Sequence, residues 1–297
     1  MLDFDPKDLP IPQLHGYLLG AIGPRPIAFA STVDANGNAN LAPFSFFNVF
    51  SANPPIMVFS PARSGRTNAT KDTYNNVKVV PEVVINVVTY NIVHQMSLAS
   101  SPYDPGEDEF QKAGFTKLKS DTVKPFRVAE SPVQFECKVI EVKELGEGGG
   151  AGNLVICEVT RLHIKEDLIG EDGKIDQTKI DLVSRMGGNW YCRADKNSMF
   201  EITKPLITKG IGFDHLPEDV LKSNILTGND LGQLAGIEEL PNETDVNDYK
   251  LMELSDLFVT LEDDQPKLET ELHLRAKELL KENKLEEAWK TLLSFNN

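Results

Sequence analysis

The segment from residue 20 to residue 165 is a succession of strand-sized apolar runs separated by turn-forming residues, with little helical pattern between them. Residues 26–33, PIAFASTV, are small, apolar and β-branched. Asp34-Ala35-Asn36-Gly37 follows, and Asn-Gly is a strong hairpin signal. Residues 39–50 resume as a second strand-like segment rich in Phe, broken by Asn53-Pro54-Pro55, and residues 56–60 form a third. Residues 83–89 (VVINVVT), 132–143 and 153–165 complete the set, the last two separated by a glycine-rich turn from Gly146 to Gly152. Val133, Phe135, Cys137 and Val139 alternate with polar neighbours, as a half-buried strand requires. At least six strands with so few helices between them do not suit a βαβ sandwich. The pattern predicts a mainly β fold, a closed or split barrel, with short helices near residues 70–76 and 91–100. Thr70 and Asp72 are the candidate N-caps of the first of these.

After about residue 210 the character changes. Leu268, Leu272, Arg275 and Leu279, then Leu285, Ala288, Trp289 and Leu292, fall at helical spacing, with a break near Lys284. We therefore expect a domain over residues 1–210 and an acidic, α-helical C-terminal extension over 211–297. Net charge over the 297 residues is −15. Residues 1–210 carry 22 basic against 25 acidic side chains, and residues 211–297 carry 8 against 20. Such a chain repels polyanions, so neither nucleic acid nor an anionic membrane is an expected partner. Cys137, Cys157 and Cys192 have no CxxC spacing, and an odd count argues for a reducing compartment. The start, MLDFDPKDLP, lacks an apolar secretory core, and the longest apolar runs are strand-sized. These features predict a cytoplasmic protein.

Three stretches could carry chemistry. Arg63-Ser64-Gly65-Arg66-Thr67-Asn68-Ala69-Thr70-Lys71-Asp72-Thr73 gathers cations, hydroxyls and glycine between a strand and a helix, the donor set that a phosphomonoester needs. A solvated loop has the same composition. Asn40 to Asn48, NLAPFSFFN, sets Ser45 and Asn48 among aromatics, as a flat heteroaromatic ring would require, though a barrel strand with one polar face reads alike. Arg185 to Tyr191, RMGGNWY, is either a pocket edge or a turn with buried aromatics. GxGxxG, GxxxxGK[ST], HExxH and GxSxG patterns are absent, and the five histidines lack metal-ligand spacing. His163 reads as a mid-strand structural residue.

Taken together and in order, these stretches resemble the flavin reductase-like proteins with an FMN-binding split barrel. The resemblance is carried by Gly23 to Thr32 (GPRPIAFAST), Asn40 to Asn48, Pro54-Pro55, Lys71-Asp72-Thr73, Asp108-Glu109-Phe110, Ala113 to Thr116, Pro132 to Glu136 and Arg185 to Tyr191, over roughly residues 10–205. It implies a six-stranded, Greek-key-like split barrel and a homodimer with FMN near its interface. It implies Ser31, Thr32, Ser45, Phe46 and Asn48 along the isoalloxazine and ribityl chain, and Lys71, Asp72 and Thr73 at the phosphate, with Lys71 the main cation. Arg25 would reach the phosphate or brace its strand, and Tyr191 would cap the ring or face a nicotinamide. The implied activity is that of an FMN oxidoreductase, an NAD(P)H-dependent flavin reductase in which hydride passes from NADH or NADPH to flavin, with no side chain as obligatory catalyst. The alternatives are a flavoredoxin-type electron-transfer protein with a redox partner protein, for which the acidic tail would suit a basic surface, and a non-catalytic flavin-binding module. Oxidation of a pyridoxamine-type substrate is a more distant one.

Overall fold

The computed structural model describes residues 1–104 and 106–296; Pro105 and Asn297 lie outside the described residues. The chain divides into two compact units, Met1–Phe200 and Glu201–Asn297, ten residues before the boundary read from composition.

In the first unit the strands are β1 (Ala28–Val33), β2 (Ala39–Phe44), β3 (Phe47–Ala52), β4 (Pro55–Phe59), β5 (Glu82–Val87), β6 (Lys117–Leu118), β7 (Arg127–Val128), β8 (Val133–Glu144), β9 (Asn153–Ile164), β10 (Leu182–Arg185) and β11 (Tyr191–Ala194). Seven of them form one sheet in the order β2-β1-β5-β8-β9-β4-β3, every ladder antiparallel. The pairs β6-β7 and β10-β11 stand apart. Four helices complete the unit, α1 (Ile11–Ala21), α2 (Asp72–Val79), α3 (Val93–Leu98) and α4 (Glu109–Lys112).

The sheet has seven strands, where six were expected. Residues 39–50, which read as one strand, break at Ser45 and Phe46, and the halves go to opposite edges of the sheet. Phe44 ends one edge strand and Phe47 begins the other, three residue steps away and so at most about 11 Å apart. A sheet whose two edges are tied this closely must roll. No ladder joins β2 to β3, so the roll stays open along that seam.

Its interior draws on all seven strands: Ala28, Ala30, Phe44, Phe47, Met57, Phe59, Val83, Ile85, Cys137, Val155 and Cys157, with Val77 of α2 packed among them. A second core lies on the outer face of β1 and β2, where Phe29 and Leu41 meet Met96, Phe110, Phe115 and Val183. Both faces of β1 are thus covered, which explains why 28–33 shows no polar alternation. Buried Asn86 staples this layer, its amide donating to the Phe29 carbonyl at 3.0 Å and its Oδ1 accepting from Val128 N–H at 2.9 Å.

The second unit is helical: α5 (Glu218–Leu221), α6 (Gly228–Leu234), α7 (Glu243–Tyr249), α8 (Ser255–Thr260), α9 (Gln265–Lys281) and α10 (Leu285–Leu293), with a π-turn over Lys250–Leu254 between α7 and α8. The break near Lys284 is the junction of α9 and α10, Lys284 being the N-cap of α10. Trp289 is fully buried among Leu234, Ala276, Leu280 and Leu292, and its indole N–H donates to the Leu234 carbonyl at 3.1 Å. Thr227 and Asp230 close a capping box at α6. No helix among the described residues is long and apolar enough to cross a membrane.

Candidate functional site

The loop between β4 and α2 is fastened against the glycine-rich turn of the β8–β9 hairpin. Arg63 N–H donates to the Ala151 carbonyl, Gly150 N–H donates to the Arg63 carbonyl, and the Asn153 amide reaches the Pro61 carbonyl. The approach is close: a Cβ on Gly149 would lie 3.1 Å from the carbonyl oxygens of Ser64 and Gly65, tighter than most such contacts. Within the loop, Arg63 Nε donates to Asn68 Oδ1 at 2.8 Å, and Asn68 takes a left-handed φ of 58°.

The loop delivers the chain to α2. The N-cap is Lys71, between the two residues expected for that role, and no side chain caps the helix. The first-turn N–H groups therefore lack a side-chain acceptor, an arrangement that favours an anion. Asp72 is exposed at the first helical position, and Thr73 points inward, fully buried. Asn40 Nδ2 donates to Thr73 Oγ1 at 2.9 Å and to Thr32 Oγ1 at 3.2 Å, while Asn76 Nδ2 donates to Thr32 Oγ1 at 3.1 Å. The structure thus links Thr32 and Thr73 through Asn40, with Asn76 a further donor to Thr32; neither asparagine was among the site residues read from sequence. Asn40 had one signal: an amide in a strand buried on both faces must find partners. Next to Thr32 in the chain, Ser31 is fully buried and its Oγ has no partner among the described residues.

Ser45 and Phe46 form the bend at the open seam, and the Phe46 carbonyl accepts from Ser60 N–H at 2.9 Å, at the head of the 61–71 loop. Asn48 is exposed on β3, its Oδ1 accepting from Val49 N–H. Behind β2, Glu109 caps the strand edge by accepting from Leu41 N–H at 3.0 Å. Burial pushes the Glu109 carboxyl above the usual carboxylate range, Asp72 and Asp108 add to this, and the Leu41 N–H opposes it.

Arg25 and Tyr191 belong to a second group: Tyr191 lies on the β10–β11 hairpin, and Arg25, ahead of β1, is bridged to it. Arg25 pairs by backbone with Arg185, and its guanidinium donates to the carbonyls of Leu19, Ile22 and Met186. Arg25 is therefore a brace between α1 and the hairpin rather than a free cation. Burial and the nearby Arg185 lower its pKa. The Arg185 guanidinium lies 4.5 Å from the Tyr191 ring centroid. Trp190 is 77% exposed, which corrects the reading of this stretch as a turn with buried aromatics.

Helix α1, which the sequence reading passed over, touches both groups. Ile11 faces Gly150, His15 meets Phe46 edge-on with centroids 6.4 Å apart, and a Cβ on Gly187 would lie 3.1 Å from Gly20 Cα.

A third cluster joins Asp121, Glu136 and His163, whose ligand atoms lie within 4.8 Å of one another. The buried Glu136 carboxylate accepts from the N–H groups of Asp121 and Thr122, the Thr122 hydroxyl and His163 Nε2. Its oxygens are saturated by protein donors, and the cluster clamps the 119–127 loop to β8.

The first unit is thus a rolled, open antiparallel sheet with a polar network at its seam and an uncapped helix start. The chain belongs to the flavin reductase-like domain family, whose pattern matches residues 21–179. An uncharacterized protein of Halalkalibacterium halodurans is 35% identical over 210 residues, covering 70% of this chain and 99% of that protein. Nitrilotriacetate monooxygenase component B from Bacillus cereus superposes with a TM-score of 0.63 at 30% identity, over 68% of this chain and 98% of that one. Pseudomonas fluorescens 2-nitrobenzoate 2-nitroreductase superposes with a TM-score of 0.62 at 26% identity, over 71% and 100%. This is a flavin-related redox protein with a further helical unit.

Proposed function

We propose that the chain is an FMN oxidoreductase that takes electrons from NADH or NADPH. The observation that carries this reading is the start of α2, where Lys71 caps a helix whose first N–H groups have no side-chain acceptor. It stands two residues from Thr73, which the amide of Asn40 shares with Thr32. A terminal phosphate fits that set: a point charge, main-chain donors and hydroxyls. Bound FMN would supply a two-electron centre that accepts hydride and passes electrons on.

In this reading Lys71 and the α2 N-terminus hold the phosphate, with Asp72 and Thr73 flanking it. Ser31, Thr32, Ser45, Phe46 and Asn48 line the ribityl chain and ring, and Tyr191 bounds the side from which a nicotinamide enters. Arg25 holds the hairpin that carries Tyr191. No side chain acts as an acid or base. The protein is a homodimer through β3, since Phe50 and Val49 on that edge strand are exposed.

Purified protein should show a flavin spectrum, or quench FMN fluorescence at tens of micromolar protein or below. Lys71→Ala should weaken FMN by roughly 1.5–3 kcal/mol and riboflavin, which lacks phosphate, far less. Equal losses would remove Lys71 from the phosphate. The acidic helical unit favours a second reading, an electron-transfer flavoprotein served by a protein partner. Bound flavin that neither NADH nor NADPH bleaches would select it.

A further inference from the structure

The helical unit carries an outward surface that its own cores do not use. From Glu243 to Thr260 the chain runs through α7, the π-turn and α8. Val246, Leu254 and the partly buried Leu257 face inward. Leu251, Met252 and Val259 face out, 71%, 79% and 72% exposed. Leu251, Ser255 and Val259 are four apart and share a face, with Met252 beside it. Gathered on one helical face, these leucine, methionine and valine side chains form an apolar patch of the kind that marks an interaction surface.

The charge around them has one sign. Asp248 and Asp256 are exposed within the strip, and Glu262 and Asp263 follow it. None of these four has an ion pair among the described residues. The neighbouring cations are engaged: Lys250 Nζ donates to the Ser294 carbonyl at 3.0 Å and lies over Phe258, Arg275 pairs with Glu253, and Lys284 pairs with Glu282. Between residues 238 and 264 there are ten acidic side chains and one basic. Two known structures that match the chain are themselves 98% and 100% covered while leaving about 30% of this chain unmatched.

We propose that the outer face of Asp248–Val259 is a docking surface for a basic amphipathic helix of a partner protein. The partner's apolar residues would cover Leu251, Met252 and Val259, and its lysines or arginines would meet Asp248, Asp256, Glu262 and Asp263. A flexible methionine beside branched side chains suits helix-in-groove recognition, and the acids set the sign of the partner. The proposal does not depend on the flavin reading.

Fluorescence anisotropy of the full-length protein with labelled synthetic helices tests it. The probes are a Lys/Leu helix with one apolar face, the same composition scrambled to destroy that face, and a Glu/Leu helix. The amphipathic Lys/Leu helix should bind at micromolar concentration, and the other two at least tenfold more weakly. The exposed-residue variant Leu251→Ser/Met252→Ser/Val259→Ser should lose at least tenfold, and Asp248→Asn/Asp256→Asn several-fold, with the helical circular dichroism of both unchanged. Equal binding of the scrambled probe, or undiminished binding by the serine variant, would reduce the effect to general charge attraction and overturn the proposal. So would self-association in sedimentation that the serine variant abolishes, because the occupant would then be a second copy.

Discussion

Glu136→Gln is the most discriminating perturbation of the barrel. The wild-type carboxylate, with no exposed side-chain surface, accepts from Asp121 N–H at 2.9 Å, Thr122 N–H at 2.6 Å, Thr122 Oγ1 at 2.7 Å and His163 Nε2 at 2.8 Å, with Arg127 Nε 3.7 Å away. Burial alone would raise its pKa. The donors of Asp121, Thr122 and His163 outweigh burial and hold it at about 2, against an ordinary 4.5. A difference of about 2.5 units corresponds to about 3 kcal/mol of folding stability. Because the folded pKa lies below the unfolded one, that stability is present in full above about pH 4.5 and is lost as pH falls toward 2. Glutamine keeps the shape but turns an NH₂ toward groups that are themselves donors. We expect the variant to be less stable by about 3 kcal/mol at pH 7, measured by urea unfolding. The gap between wild type and variant should narrow between pH 4.5 and 3. A variant as stable as wild type at pH 7, or a gap unchanged down to pH 3, would refute the account of Glu136 as a charged clamp.

Phe50→Asp should convert a homodimer to monomer in sedimentation at micromolar protein, since it places a charge on the exposed edge strand; a wild type that sediments as a monomer with flavin bound would contradict the proposed assembly. Trp289→Ala should cost the helical unit about 3–5 kcal/mol and lower its melting transition, while FMN binding by the barrel stays intact. Loss of FMN binding in that variant, with the barrel still folded, would show that the site extends beyond residues 25–191.

The strands were legible because their signals are local: β-branched runs, an Asn-Gly turn, a Pro-Pro stop. The division of 39–50 between two sheet edges was not, because it depends on pairing with β1 and β4 rather than on its own residues. Helix α1 went unread for a different reason. IPQLHGYLLGA has no charged face opposite an apolar one, and in the structure none of its residues is buried. At the candidate site, Lys71, Asp72 and Thr73 were visible as cations and hydroxyls ahead of a helix. The shared amide of Asn40 was not, since its partners lie 8 and 33 residues away. Arg25 showed the same limit: its charge was plain, but its carbonyl partners on α1 and the hairpin are tertiary.

The lightly seated α1 bears on exchange kinetics. An eleven-residue helix is marginal by itself, and this one is anchored chiefly at Gly150, Phe46 and the Arg25 brace. Its local opening free energy should therefore be small beside that of the rolled sheet, and its amides should exchange first. Since the helix touches the 148–151 turn, the Phe46 bend and the β10–β11 hairpin together, its opening frees all three at once. The residence time of a molecule held among those segments would then follow the melting rate of one short helix rather than the stability of the barrel, and proton exchange at Ile11–Ala21 would report that rate directly.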